Sequence, residues 1–96
     1  MTFEEFSVSA QKGDPPTGVT PALAALWHDR CGDWTKAHEI AQSIQDSTGS
    51  WVHAYLHRKE GDPENAAYWY TQAGQPIASD SLDAEWTRIA RTLLTT

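Results

Sequence analysis

Cysteine is almost missing from this sequence. Cys31 is the single one among 96 residues, which excludes an internal disulfide and points to a reducing compartment. It stands at an expected helix end beside Gly32, with no base or oxyanion donor assigned to it, and reads as a small buried residue rather than a nucleophile. Basic residues are also scarce. Seven Lys and Arg stand against thirteen Asp and Glu, giving a net charge of −6 and a pI of about 4.9. That balance argues against a nucleic-acid backbone, which takes clustered cations, and against an anionic membrane surface. No stretch approaches the ~20 apolar residues of a spanning helix. The first residues carry Glu4 and Glu5 and no apolar run, so no secretory signal is read and a cytoplasmic location is expected. Catalytic motifs are missing too: no Gly-rich phosphate loop, no Cys pair, no Ser-His-Asp order, no His-Glu-x-x-His. The expectation is a protein that is not an enzyme. Strand-like alternation is absent, so the fold class is all-α.

Tryptophan, by contrast, is abundant. Five Trp, three Tyr and two Phe supply large apolar bodies to a chain small enough to need them. Most are expected to fill a thin core, leaving one or two to line a binding surface.

An imperfect repeat organises the chain, with a period of 29 residues, the interval from Gly32 to Gly61. Cys31-Gly32-Asp33-Trp34-Thr35-Lys36-Ala37 aligns with Glu60-Gly61-Asp62-Pro63-Glu64-Asn65-Ala66, and the same shift carries His28 onto His57. Residues 1–20 read as a loop-rich segment. Within it, Thr2-Phe3-Glu4-Glu5 forms a capping box that opens a short helix to about Gln11. Thr20-Pro21 opens the first strong helix, and Leu23, Leu26 and Trp27 give it an apolar face. Gly32 ends that helix, and Asp33 caps a second striped by Ala37, Ile40, Ala41 and Ile44. Ser47 to Ser50 breaks the pattern. Trp51, Val52, Tyr55 and Leu56 mark a third helix, and Asp62-Pro63-Glu64 starts a fourth carrying Ala66, Trp69, Tyr70 and Ala73. Ser79 to Ser81 cap a last helix striped by Leu82, Trp86, Ile89 and Leu93. The organisation expected is one domain over 1–96: hairpin 1 at 21–46, hairpin 2 at 50–74, and a capping helix at 80–94 that seals the stack.

Gly32-Asp33-Trp34-(x2)-Ala37 resembles the hairpin turn of tetratricopeptide repeats. Ala66-(x2)-Trp69-Tyr70-(x2)-Ala73 is similar to the second helix of the related Sel1-like repeats. The segment from Trp51 to Asp62 also resembles part of short uncharacterised bacterial proteins. The repeat resemblance covers residues 20–76. It implies stacked antiparallel hairpins whose first helices line a concave face that binds peptides or proteins. The period is shorter than the ~34 residues of tetratricopeptide repeats.

Two constellations carry chemistry. Arg58 and Lys59, with Arg30 as the first-repeat equivalent of Lys59, offer a clamp for a peptide carboxylate, with Trp51 and Tyr55 adding apolar area beside it. On that reading, Arg58→Ala with Lys59→Ala weakens a partner and leaves stability nearly unchanged. The second is His53-Ala-Tyr-Leu-His57, which sets two imidazoles one helical turn apart. Stacking in register would bring His28 to them. The result would be three nitrogens for Zn²⁺ or a similar divalent metal, with Asp29 or Glu60 to orient the rings. With such a metal, Glu60 would be the base of a hydrolytic site. The leading expectation is a protein- or peptide-binding repeat module, with the metal-binding protein as its rival. A third expectation is self-association into a homo-oligomer through exposed Trp.

Overall fold

A computed structural model describes residues 1–95, and among them are six α-helices and no strand. They are α1 (Phe3–Lys12), α2 (Pro21–Arg30), α3 (Trp34–Ser43), α4 (Ser47–Glu60), α5 (Pro63–Ala73) and α6 (Leu82–Leu94). No helix among the described residues is long and apolar enough to cross a membrane.

The repeat is visible as two matching turns. Gly32 and Gly61 both adopt the left-handed conformation, with φ of 89° and 92°, which costs glycine nothing. Asp33 and Asp62 follow as N-caps with nearly the same backbone angles, each accepting from the backbone N–H three residues on. The turns join α2 to α3 and α4 to α5, the two most extensive helix pairings.

The short helix expected to about Gln11 is present as α1, which runs to Lys12, and one other element differs from the sequence expectation. The α1 capping box closes at both ends, Glu5 N–H to Thr2 Oγ1 at 3.1 Å and Thr2 N–H to Glu5 Oε1 at 2.8 Å. Its apolar side, Phe6 and Ala10, is buried in the main core. The first helix of the second hairpin, α4, begins at Ser47, ahead of the expected start at 50. Asp46 caps it by accepting from the N–H groups of Thr48 (2.9 Å) and Gly49 (3.3 Å). The Ser/Thr/Gly run is therefore a helix's first turn and not a break.

Gly49 stands in that turn because nothing larger fits. A Cβ there would lie 2.5 Å from Ile44 Cβ and 2.9 Å from the Ile44 carbonyl oxygen. Gly49→Ala forces the α3–α4 connection apart, with an expected loss of about 1–3 kcal/mol by chemical denaturation.

The core is built around α4, which packs against α2, α3, α5 and α6. Every residue from Trp51 to His57 is buried as a result. The final helix packs on three of the others. α6 lies against α1, α2 and α4 and buries Trp86, Ile89, Ala90 and Leu93. In doing so it covers faces of the first helices that the repeat resemblance would leave open.

Candidate metal centre

The side of α4 that faces α3 carries His53 and His57, whose rings stack with centroids 4.7 Å apart. On α3, Trp34 donates its indole N–H to the Leu56 carbonyl at 2.9 Å and ties the two helices together. Ala37 and Ala41, both buried, keep α3 slim on its inner side. One turn beyond Trp34, His38 reaches the pair. Its ring centroid is 4.6 Å from His53 and 5.1 Å from His57, and both contacts are edge-to-face. One ligand nitrogen from each of His38, His53 and His57 lies within 4.8 Å of the other two.

Flat aromatic rings wall the cluster. Trp34 stacks on His38 at 4.9 Å, and Trp69 of α5 stacks on His53 at 4.0 Å. His53 and His57 are only 5% and 7% exposed, while His38 is half-buried. His57 has a hydrogen bond through its ring, Nδ1 to Glu60 Oε2 at 2.5 Å. The other two rings form none to the described residues. No fully buried side-chain nitrogen or oxygen among those residues lacks a partner, so the free imidazole nitrogens keep contact with solvent.

Burial, reinforced by the His38 and His57 rings, pushes His53 down to about 4. His38 is lowered as well, first by its own partial burial and then by His57, with Glu60 and Glu39 opposing. Both rings are neutral at pH 7, the form that ligates metal. Zn–N bonds of roughly 2.0–2.1 Å place tetrahedral ligand nitrogens about 3.4 Å apart. Closure on an ion thus asks for ring movements of about an ångström, within the reach of small χ adjustments.

His28 does not join this site. It is half-buried on α2, edge-on to Trp27 at 5.1 Å. The repeat-equivalent His28 and His57 sit on alternate helices, α2 and α4; packed helix axes lie roughly 8–10 Å apart and equivalent residues point in like directions, so equivalence does not make them converge. The third ring comes from the intervening helix. His38 has Ala67 as its repeat equivalent, so the repeat gave no hint of it. A helical-face count did carry the signal, since Trp34, His38 and Ala41 fall at i, i+4, i+7.

Of the expected groove residues, Arg30 and Lys59 are exposed and Arg58 is half-buried, whereas the two aromatic ones are not at the surface. Trp51 and Tyr55 are core residues, 8% and 3% exposed. The Tyr55 hydroxyl donates to Asp29 Oδ2 at 3.2 Å, and burial followed by that carboxylate raises its pKa. Lys59 donates to the other Asp29 oxygen at 2.9 Å. Arg58 donates to Glu85 Oε1 at 2.8 Å and to the Asp80 carbonyl. Arg30 lies 3.8 Å over the Trp86 ring and pairs with Asp83 at 2.8 Å. Arg30, Tyr55 and Lys59 do border one small cavity of about 210 Å³, but each cation there already has its carboxylate. Cys31, expected to be buried, is exposed; its thiol nonetheless turns inward, donates to the Ala10 carbonyl at 3.3 Å, and is raised in pKa by partial burial.

No protein-family model, curated protein or solved structure matches the chain.

Proposed function

We propose that this chain is a metal-binding protein that holds one divalent ion between α3 and α4 through His38, His53 and His57. The observation that supports it is the convergence of three imidazole nitrogens within 4.8 Å, on two helices already fixed by packing. Three imidazole nitrogens with no thiolate suit Zn²⁺ or another borderline ion, and they leave a fourth position for water or a further ligand. The scaffold we infer is a pair of tetratricopeptide- or Sel1-like hairpins, a view supported by the matched turns at Gly32-Asp33 and Gly61-Asp62. A peptide-clamp function has weaker support, because Arg30, Arg58 and Lys59 are all engaged by carboxylates of the domain.

Elemental analysis of tag-free protein tests the proposal. About one Zn²⁺ or similar ion per chain is expected, removable by chelation, retained in His28→Ala and lost in His38→Ala and in His53→Ala. Added zinc at ~100 times Kd stabilises the folded state by about 2.7 kcal/mol, a rise in Tm of roughly 10–20 °C for a domain of this size. A metal-free wild-type chain whose Tm ignores added zinc would reduce the cluster to aromatic packing.

A further inference from the structure

The geometry points to Glu60 as the positioning residue of this centre, an inference that rests on the metal-binding proposal above. Glu60 holds its proton partner, His57, in the tautomer that presents Nε2 to the ion.

An ionised carboxylate has no hydrogen to give, so in the 2.5 Å contact His57 Nδ1–H donates and Glu60 Oε2 accepts. In the neutral ring the lone pair is then on Nε2, which becomes the nitrogen free to meet His38 and His53. This is the usual arrangement by which an outer carboxylate sets ring orientation and raises ligand basicity. His57 itself is buried and stacked on His53, so its ring plane is fixed by packing and its tautomer by Glu60.

Glu60 is also a poor residue for its place on other grounds. It ends α4, where an acid opposes the negative end of the helix dipole. Its repeat equivalent is Cys31, so the repeat does not require a carboxylate there. A locally unfavourable side chain that has one specific partner is the pattern of a residue retained for that partner. A second grouping, His57 with Glu60 and Asp62, offers three ligand atoms within 4.8 Å of one another. Two of its members are already committed: His57 Nδ1 to Glu60, and Asp62 to the α5 cap, where it accepts from Asn65 N–H. Glu60 is accordingly an orienting group and not a ligand.

The test has two readouts. In metal-free wild-type protein, long-range ¹⁵N–¹H correlation spectra are expected to show His57 protonated on Nδ1, and Glu60→Ala to move the proton toward Nε2. Zinc titration of Glu60→Ala is expected to show affinity about 10–100-fold below wild type, with Glu60→Gln between the two because its carbonyl still accepts from Nδ1–H. Co²⁺ in place of zinc should give the same visible bands in wild type and both variants, since the ligand set is unchanged. Wild-type zinc affinity in Glu60→Ala, or His57 protonated on Nε2 in the wild type, overturns the inference while leaving the metal centre intact. A changed Co²⁺ spectrum overturns it too, by making Glu60 a ligand. A wild-type chain that takes up neither ion overturns both proposals together.

Discussion

Arg58→Ala is expected to cost the domain about 3–5 kcal/mol, because it strands a buried carboxylate. Glu85 is wholly inaccessible, at 0% exposure. One of its oxygens accepts from the Arg58 guanidinium at 2.8 Å and the other from the Tyr70 hydroxyl at 2.5 Å. Arg58 is the only cation paired with Glu85 among the described residues, and it also ties down the Asp80 carbonyl just before α6. Truncation removes the counter-charge and the loop anchor in one step. A loss of that size is a large share of the ~5–15 kcal/mol available to a small domain, and corresponds to a drop in Tm of roughly 15–30 °C. Urea denaturation with circular dichroism measures it. Adding Glu85→Gln should restore part of the loss, since a neutral amide is cheaper to bury and still accepts from Tyr70. A loss below about 1 kcal/mol in the single variant would place Arg58 among ordinary surface ion pairs. The sequence taken alone implied that small effect, since it made Arg58 and Lys59 free to hold a partner.

The difference shows which information sits in local sequence. Thr20, Asp33, Asp62 and Ser81 were all legible as N-caps, because a cap is chemistry within three residues of a helix start. The two Gly-Asp turns were legible for the same reason. What was not legible depends on pairs distant in sequence. Arg58 meets Glu85 across 27 positions, Lys59 meets Asp29 across 30, and Trp86 meets the Leu26 carbonyl across 60. A cation read in isolation looks like a free donor until its carboxylate is known. The histidine cluster divides along the same line. His53 and His57 declared themselves by spacing within one helix, while His38 required the packing of α3 on α4. The repeat, so useful for the turns, pointed to His28 because it encodes equivalence and not proximity.

Trp86→Ala is expected to be as damaging, by a different route. Trp86 heads the fully buried side chains by size, at 1% exposure. It stacks on Phe6 at 5.6 Å, meets Phe3 edge-on at 6.0 Å, and lies beneath the Arg30 guanidinium. Its indole N–H donates to the Leu26 carbonyl at 3.0 Å. One side chain thus links α6 to both α1 and α2. Removing it combines lost transfer energy with a cavity, at about 3–5 kcal/mol. It also removes the ring against which α1 stacks. Global unfolding by urea should therefore move to lower concentration, and limited proteolysis should cut first near residues 12–20, where α1 joins the rest. Trp86→Phe separates the contributions. It retains a ring for Phe6 but cannot donate to Leu26, so its deficit relative to wild type includes that hydrogen bond, worth about 1 kcal/mol, together with the smaller buried area. If Trp86→Ala were instead nearly neutral, α1 and α6 would not be docked as described. The first helices would then regain the open face that their repeat pattern suggests.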